Sequence, residues 1–525
     1  MILIRKLRLN VGEELSALKK QAAKKLRISP NDILSFKLTK KSLDARKKDD
    51  IHYVCSAAFS VRGDEDKLIS RARSADITKF TEKEYEITPV SSESRPLVVG
   101  FGPAGMFAAL VLSMAGAKPI VIERGQDALS RKAAVDAFRS NGVLDTESNV
   151  QFGEGGAGTF SDGKLNTGIK DPRMGWMLAQ FAAHGAPESI VYDAKPHIGT
   201  DILIDVVQNI RKKIISLGGE VRFGTKLERL IIEDNAICGA ELSDGSRIDC
   251  SQLILAIGHS ARDTFENLHA QNVPMEQKPF SMGVRIEHKQ TDIDFSQYGR
   301  ERGELPAADY SLNVHLNEEE SAYSFCMCPG GEVIAAASEA GGLVTNGMSY
   351  SKRDGDNANS ALLVTLRTED FPDRGVLSGM YWQREIEQSA YNYGGGNYRA
   401  PAQLVGDFLA GQASQGAKSV KPSYSPGVIW GELHEVLPER ITSVMEKALP
   451  ELGKKLKGFD CPDAVLTAPE TRSSSPVRIL RDRELRSEIR GLYPCGEGAG
   501  YAGGISSAAV DGLRCAEAVL RDIKK

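Results

Sequence analysis

A glycine pattern between two apolar runs constrains the fold of this chain most strongly. Gly100-x-Gly102-x-x-Gly105 follows the run RPLVV and precedes an apolar helical stretch, and a second run, PIVIE, ends at Glu123. This order is typical of a βαβ unit that binds a dinucleotide. Gly100 permits the tight turn, Gly102 lets the backbone approach a pyrophosphate, and Gly105 allows close helix–strand packing. The helix N-terminus favours phosphates, and Glu123 is expected to bind a ribose.

Composition excludes several classes of protein. The chain has 525 residues, of which 41% are hydrophobic, enough for about three domains with packed cores. No run of 18 apolar residues exists, because Gly116, Lys118 and Pro119 interrupt the best candidate, so we expect no membrane span. The N-terminus shows no secretory signal, and the eight cysteines form no CxxC pair. We therefore expect a soluble, cytoplasmic protein without a metal site.

The first 90 residues differ from the rest in charge. They carry 20 Lys/Arg against 13 Asp/Glu, although the whole chain has a net charge of −4. The pattern predicts strands at 2–9, 33–38, 51–61 and near 85–87, and helices at 13–26 and 65–72. This order indicates a separate ferredoxin-like α+β domain over residues 1–90. A linker is expected at Pro89–Pro96, which is rich in Ser and Glu.

Two distant segments hold the glycine excess. Residues 95–175 contain 13 glycines and residues 491–512 contain 7, out of 51 in the chain. Besides the first turn they include QFGEGGAGTFSDGKL at 151–165 and GLYPCGEGAGYAGGI at 491–505. Such sequences suit close approach of bare backbone to a flat ring or a phosphate, with Thr159 and Ser161 as donors. A flexible surface loop is the alternative for residues 151–165.

These motifs resemble those of the glutathione-reductase-like flavoprotein superfamily. Glu123-Arg124-Gly125 with Arg131, the strand end LILAIG at 253–258 and the C-terminal GEG are similar to its FAD-binding segments. GGAGTFSDGKL, FCMCPGG, TAPETRSSSPVRI and PCGEGAGYAGGI together resemble the bacterial FAD-dependent dehydrogenase family of unassigned substrate. The resemblance implies bound FAD, which accounts for both glycine-rich segments, whereas NAD would need only the first. It implies cofactor contacts from Gly100, Gly102, Pro103, Ala104, Gly105, Glu123, Arg124, Arg131, Gly155, Gly156, Ala157, Gly158, Thr159, Ser161, Lys164, Leu227, Gly258, Gly496, Glu497, Gly503, Gly504 and Ile505.

The expected fold class is α/β, with three domains. Residues 95–275 and 463–525 are predicted to form a discontinuous Rossmann-type FAD-binding domain. Residues 276–462, with antiparallel-strand patterns, are predicted to form an inserted α+β domain that covers the flavin and selects the substrate. Glu497 would bind a ribityl hydroxyl, although Asp is usual in the superfamily, and the N–H groups near Gly504 and Ile505 would face the flavin pyrimidine.

The sequence leaves the chemistry at the flavin open. No CxxxxC pair and no second GxGxxG at a strand–helix junction exist, so a dedicated nicotinamide domain is not expected. Lys164 could offset the charge of a reduced flavin, and His259 could reach the cofactor. Arg472 could bind a substrate carboxylate with both nitrogens, and Glu470 could act as acid or base. Each of these four candidates also has a structural interpretation, as a loop, turn or ion-paired residue.

Two further segments are weaker candidates. Cys326 and Cys328 could form a redox pair, but core cysteines on one face of a strand explain them more simply. Tyr398 and Arg399 follow a triple glycine and could touch the substrate from a mobile loop, or belong to an ordinary surface loop. No metal-ligand spacing emerges among the eight histidines.

Three functions remain in competition. The first is an FAD-dependent dehydrogenase or reductase that exchanges hydride with a small molecule or with transient NAD(P)H. The second is a flavoprotein that binds RNA or protein through basic residues of the first domain, Lys19, Lys20, Lys24, Lys25, Arg27, Lys40, Lys41, Lys47 and Lys48. The third is an NAD(P)H-dependent flavin monooxygenase, suggested by Asp244-Gly245, which a hairpin turn also explains. The oligomeric state cannot be predicted.

Overall fold

The computed structural model describes residues 1–82, 84–91 and 95–524. The chain is a mixed α/β protein built on six sheets within these ranges. The expected linker Pro89–Pro96 lies partly outside the described residues. None of the helices described is both long and apolar enough to cross a membrane.

Residues 2–79 form a four-stranded antiparallel sheet in the order β2-β3-β1-β4, with two helices packed on it. The element order is that of a ferredoxin-like module. Leu18, Ala22 and Leu26 of the first helix lie in its core. The elements are β1 (Ile2–Asn10), α1 (Ala17–Leu26), β2 (Ile33–Asp44), β3 (His52–Val61), α2 (Glu65–Ala72) and β4 (Ile77–Lys79).

The strand predicted near Tyr85–Ile87 is wrong, because this segment packs on a different core. The Tyr85 ring lies 4.7 Å from the Trp176 ring, and its hydroxyl donates to Glu517 at 2.8 Å. The last strand of the first sheet is β4, which pairs with β1 instead. The domain boundary at residue 90 stays a prediction.

A five-stranded parallel sheet, in the order β23-β11-β5-β6-β7, joins two distant parts of the chain. Its central strands are apolar and buried, as a sheet covered on both faces requires. α3 and the C-terminal helix α12 share a core with α6 on one face, and a small antiparallel sheet, β8–β10, packs on the other. The elements are β5 (Leu97–Val99), α3 (Pro103–Met114), β6 (Ile120–Ile122), α4 (Ala128–Asn141), α5 (Arg173–Ala183), α6 (Thr200–Ser216), β7 (Glu220–Arg222), β8 (Leu227–Glu233), β9 (Ala236–Leu242), β10 (Arg247–Asp249), β11 (Leu253–Leu255), α7 (Arg262–Ala270), β12 (Met275–Gln277), β22 (Val477–Ile479), β23 (Leu492–Pro494) and α12 (Ile505–Ile523).

The middle of the chain forms a seven-stranded sheet in the order β14-β15-β18-β13-β21-β19-β20. β21, the last of these strands along the chain, ends at Glu470, so the sheet extends beyond the predicted domain boundary at residue 462. α8 and α11 share one apolar core with it. The elements are β13 (Phe280–Lys289), α8 (Gln290–Tyr298), β14 (Asn313–His315), β15 (Ser321–Cys328), β16 (Glu332–Ala335), β17 (Thr345–Met348), β18 (Asn357–Leu366), α9 (Ser378–Tyr393), β19 (Ala400–Leu404), α10 (Val405–Leu409), β20 (Val428–Trp430), α11 (Glu439–Lys455) and β21 (Val465–Glu470).

Candidate cofactor and active site

A cavity of about 760 Å³ lies at the carboxyl ends of β5, β6, β11 and β23. Ligands of open parallel sheets bind at this edge, and the volume falls within the range of cofactor pockets. Both glycine-rich segments line it, together with residues of the middle sheet. The predicted residues in its lining are Gly100, Gly102, Pro103, Ala104, Glu123, Arg124, Gly156, Ala157, Gly158, Ser161, Lys164, Leu227, Gly258, His259, Glu470, Arg472, Glu497, Gly503, Gly504 and Ile505.

Two glycine turns meet at the N-terminus of α3. A Cβ added to Gly156 would lie 2.9 Å from the Cα of Gly102, and Gly156 has a φ of +63°, which other residues rarely adopt. Gly102 is the N-cap of α3, whose first N–H groups have no partner within the helix. Bare backbone with free N–H groups fits the pyrophosphate of a dinucleotide. Gly105 has a packing role rather than a role in binding, since a Cβ added to it would lie 1.9 Å from the Gly100 carbonyl oxygen.

The N-terminus of α12 forms a second open backbone surface in the cavity. Gly503 and Gly504 line it, and a Cβ on either glycine would meet no atom within 4 Å. The side chain of Ile505, the first residue of α12, contacts the other glycine-rich segment: its Cγ1 would lie 2.7 Å from a Cβ on Gly158. Two helix N-termini therefore open on one cavity, which suits a ligand with a phosphate group at one end and carbonyl oxygens at the other.

Glu123 is positioned by backbone amides at the end of β6. Its carboxylate accepts hydrogen bonds from the N–H groups of Phe101 (2.8 Å), Gly125 (2.9 Å) and Gly153 (2.9 Å). A carboxylate has about four acceptor positions. Three are used to hold the turn, so one acceptor position is left for a ribose hydroxyl.

Glu497 and His259 form a pair on the cavity wall. The Oε1 of Glu497 lies 3.3 Å from the Nδ1 of His259. The Nε2 of His259 is buried without a hydrogen-bond partner, although the residue lines the cavity. This geometry leaves the Oε2 of Glu497 for a ligand, while the Nε2 of His259 lies behind the wall.

Arg131 does not line the cavity, in contrast to the cofactor contact predicted for it. Its guanidinium is fully buried and donates to the carbonyl oxygens of Asn149 (2.8 Å), Val150 (2.9 Å) and Glu154 (2.7 Å). Burial lowers the pKa of Arg131 to about 10. The residue therefore holds the loop before the glycine-rich segment in place.

The two predicted hydroxyl donors of the glycine-rich loop are used within the loop. The Thr159 hydroxyl is buried and donates to the Glu154 carbonyl at 3.3 Å, and the Ser161 hydroxyl donates to the Gly158 carbonyl at 2.7 Å. Only Ser161 of the two lines the cavity. Gly155 and Gly496 also lie outside the lining, because Thr159 and Ala104 respectively occupy the space beside them.

Lys164 lies in a charged cluster at the cavity wall. Its Nζ is 3.0 Å from the buried carboxylate of Asp162, to which Arg353 also donates through Nε at 3.0 Å. Burial alone would raise the pKa of Asp162, but Lys164 and Arg353 hold it below its usual value. Two cations share one anion here, so the cluster keeps a net positive charge.

Arg472 has its guanidinium fork occupied by a protein carboxylate. Its Nε and Nη2 donate to Glu387 at 3.0 and 2.8 Å, and Arg262 donates to the same carboxylate at 2.8 Å through each of two nitrogens. Burial would raise the pKa of Glu387, but the two arginines hold it well below its usual range. The predicted role in binding a substrate carboxylate is therefore not supported by the geometry, although Arg472 lines the cavity.

Glu470, at the end of β21, is a buried carboxyl that faces the cavity. Its Oε2 has no hydrogen-bond partner, and its Oε1 lies 3.8 Å from the Nη1 of Arg285. Burial raises the pKa of Glu470 to about 7, and Arg285 opposes the shift. A carboxyl with this pKa can give and take a proton near neutral pH.

The other sequence candidates differ in location. Cys326 lines the cavity, whereas Cys328 is fully buried behind it. Tyr398 and Arg399 lie outside the lining: the Tyr398 ring packs 4.9 Å from the Phe138 ring, and Arg399 donates to a β20 carbonyl. Asp244-Gly245 is the hairpin turn between β9 and β10, which explains it without a monooxygenase motif.

The basic residues of the first sheet have several partners. Lys25 donates to the carbonyl of Arg5 at 3.1 Å, Lys41 lies 4.4 Å from the Tyr53 ring, and Lys48 donates to the Ser296 carbonyl at 2.8 Å. These contacts hold the side chains of these three lysines against the rest of the protein. Nucleic-acid binding by residues 1–90 stays a prediction.

One group of possible metal ligands occurs among the residues described. Cys495, Asp511 and Cys515 bring ligand atoms within 4.8 Å of one another. Arg481, however, donates to both oxygens of Asp511, at 2.7 and 2.8 Å. The guanidinium already neutralises the carboxylate, so the group is explained as a buried ion pair.

Sequence reasoning missed Asp162, Arg285 and Glu387. All three are charged and buried; Asp162 stands in glycine-rich sequence and Arg285 in apolar sequence, which was the available signal, whereas Glu387 stands in a polar helix that gave none. Arg285 stands within the apolar strand FSMGVRIE, where an unpaired charge would be costly.

Two protein-family models and a bacterial relative match this chain. Residues 279–473 match the family model described as FAD-dependent protein, C-terminal domain-like, and residues 1–60 match a domain of unknown function. An uncharacterised protein of Clostridium beijerinckii is 49% identical over 529 residues, which cover 99% of this chain and 98% of that protein. The chain belongs to the same family as this clostridial protein.

Two solved structures show distant likenesses to this chain. The flavin-dependent brominase Bmp2 is 13% identical with a TM-score of 0.38, over 82% of this chain and 79% of the brominase. Glycine oxidase from Bacillus cereus is 13% identical with a TM-score of 0.31, over 82% of this chain and 96% of the oxidase. Similarity at this level does not establish a shared activity.

Proposed function

We propose that the protein is an FAD-dependent dehydrogenase or reductase that exchanges hydride between flavin N5 and an unidentified small molecule or NAD(P)H. In this proposal the parallel sheet forms a discontinuous Rossmann-type FAD-binding domain, and the seven-stranded sheet belongs to an inserted domain. The observation that carries the proposal is the single cavity on which the N-termini of α3 and α12 both open. The family match to FAD-dependent proteins supports it.

FAD would be held along the cavity from one helix N-terminus to the other. The turns at Gly102 and Gly156 and the N–H groups of α3 would bind the pyrophosphate, and the remaining acceptor position of Glu123 would bind the adenosine ribose. Glu497 would accept from a ribityl hydroxyl, and the N–H groups near Ile505 would face the pyrimidine oxygens. The bound flavin supplies the hydride chemistry, while the protein supplies binding and orientation.

The inserted domain would supply the substrate side of the site. Glu470 lines the cavity, and its buried Oε2 has no partner. With a pKa of about 7, it can hold or release the proton that accompanies hydride transfer. The cluster of Lys164 and Arg353 around Asp162 places positive charge on the same wall. Positive charge there favours the anionic form of a reduced flavin or a negatively charged substrate.

The test is the cofactor content of the purified full-length protein. We expect a yellow protein whose heat-released cofactor is FAD and whose absorbance bleaches under anaerobic dithionite. Colourless protein that does not take up FAD on reconstitution would overturn the proposal. Fast NAD(P)H-dependent oxygen consumption that requires an organic substrate would favour the monooxygenase alternative instead.

A further inference from the structure

An extra residue interrupts the pairing of β15 with β18 at Cys326. Phe325 pairs with Ala361, and Cys328 pairs with Asn359. An advance of three residues along β15 therefore matches an advance of two residues along β18. Cys326 lies in this bulge with a φ of +43°, a left-handed conformation that is uncommon for residues other than glycine. The fold therefore keeps a thiol at a position where the backbone favours glycine, and such strain clusters at functional sites.

The bulge gives the two cysteines different environments. Cys326 is partly exposed and lines the cavity, whereas Cys328 is fully buried. The Cys328 thiol donates to the Cys326 carbonyl at 3.2 Å. An accessible cysteine beside a buried one is the arrangement of an attacking thiolate and a resolving thiol.

Charged groups on neighbouring elements make this difference larger. The neighbouring Cys328 side chain lowers the pKa of Cys326 against the effect of burial, and Lys164 and Arg285 lower it further, opposed by Asp162. The Cys326 side chain and burial raise the pKa of Cys328. Arg285 anchors the bulge, because its Nη2 donates to the Cys326 carbonyl at 3.0 Å and lies 3.7 Å from the Cys328 Sγ.

We propose that Cys326 and Cys328 form a redox-active dithiol in the wall of the flavin cavity, and that the substrate class of the enzyme is a small disulfide. The inference rests on the proposed function, because the pair must be regenerated by a flavin in the same cavity.

The reaction proceeds in two exchanges. The Cys326 thiolate attacks one sulfur of the substrate R–S–S–R, the substrate S–S bond breaks, one R–S⁻ leaves, and a mixed disulfide forms between Cys326 and the other R–S group. Cys328 then gives up its proton and attacks the Cys326 Sγ, which releases the second R–S⁻ and forms the Cys326–Cys328 bond. The substrate gains two electrons and the pair loses two. The pair returns to the dithiol by taking up two electrons from reduced FAD and two protons, with the hydride donor of the proposed function as the ultimate reductant.

Glu470 is placed to accept the proton of Cys328 in the second exchange, because one guanidinium contacts both groups: the Nη1 of Arg285 lies 3.8 Å from the Oε1 of Glu470, and its Nη2 lies 3.7 Å from the Cys328 Sγ. The unpartnered Oε2 of Glu470 and its pKa of about 7 suit this transfer near neutral pH. The released proton is then available to R–S⁻.

The experiment treats the full-length FAD-loaded protein with hydroxyethyl disulfide and maps the cysteines by mass spectrometry after alkylation. We expect a Cys326–Cys328 disulfide in the wild type and a trapped mercaptoethanol adduct on Cys326 in Cys328→Ser. Cys326→Ser should form neither product, and Cys238→Ser, which changes another partly exposed cysteine in β9, should behave as the wild type. Glu470→Gln should form the adduct but resolve it more slowly.

A second readout counts electrons. After oxidation by the disulfide probe, anaerobic titration should deliver two more electrons per FAD to the wild type than to Cys326→Ser. FAD absorbance of each variant checks that it is folded and loaded. A loaded protein in which both thiols stay free and Cys328→Ser traps no adduct would overturn this inference alone. A protein that binds no FAD would overturn the proposed function, whatever the cysteines do.

Discussion

Gly102 and Gly156 approach so closely that a Cβ on Gly156 would lie 2.9 Å from the Cα of Gly102. The two residues belong to separate glycine-rich motifs, yet they form one bare-backbone surface beside the N-terminus of α3. A side chain here would separate the turns and cover the surface where a pyrophosphate would bind.

The first prediction concerns Gly156→Ala. The substitution adds a methyl group against Gly102 and forces alanine into a conformation with φ +63° and ψ −168°, which costs roughly 1–3 kcal/mol. We expect at least a tenfold loss of FAD affinity, measured by absorbance and by titration of the apoprotein. Gly175→Ala is the control, because that glycine lies in α5 with nothing within 4 Å of its Cβ. Equal FAD retention in both variants would contradict the pyrophosphate assignment.

The second prediction concerns Glu497→Ala. The variant removes the carboxylate that lies 3.3 Å from His259 and whose other oxygen is left for a ligand. A hydrogen bond to a charged group contributes about 1.5–3 kcal/mol, so FAD affinity should fall by about 10- to 100-fold in equilibrium titrations. The exposed Glu488, in the same C-terminal part of the chain, provides the control Glu488→Ala, which should leave affinity unchanged. Unchanged affinity in Glu497→Ala would remove this residue from the FAD site.

The sequence predicted the backbone of the site better than its side chains. Gly100, Gly102 and Gly105 can be assigned from spacing alone, because a tight turn, a close approach and helix packing each require glycine. Arg472 could not be assigned in this way, since its partner Glu387 is 85 residues away in sequence and meets it only through the fold of the middle sheet. The bulge at Cys326 was equally hidden, because regular alternation would have placed both cysteines on one face.

The third prediction concerns Glu387→Gln. The carboxylate is fully buried between Arg262 and Arg472, and the amide leaves these two buried guanidinium groups with Glu339 as their remaining anion. We expect the free energy of unfolding to fall by about 3–5 kcal/mol, measured by urea denaturation at saturating FAD. Glu385→Gln, on the exposed side of the same helix, should change it by less than about 0.5 kcal/mol. A small effect in both variants would show that the network does not stabilise the fold.

The fourth prediction concerns pH and two buried groups with opposite effects. Burial lowers the pKa of His288 to about 4, and the Phe459 carbonyl, 2.8 Å from its Nε2, opposes the shift together with Asp292 and Asp460. His288 therefore contributes stability that is present above pH 6.5 and lost as the pH falls towards 4. Burial raises the pKa of Glu470 to about 7, so its contribution is present below pH 4.5 and lost as the pH rises through 7.

Between pH 5 and 7.5 each contribution changes the free energy of unfolding by about 2 kcal/mol, and the two partly cancel in the wild type. Glu470→Gln removes the contribution of the glutamate, so the contribution of His288 is no longer offset. On going from pH 7.5 to pH 5, the free energy of unfolding of this variant should therefore fall by about 2 kcal/mol more than that of Glu470→Gln/His288→Gln. Urea denaturation of both variants at the two pH values measures the difference. Glu470→Gln/His315→Gln is the control, because His315 is exposed on β14 and its loss should leave the pH dependence unchanged. The same pH dependence in all three variants would mean that His288 is protonated equally in the folded and unfolded chain.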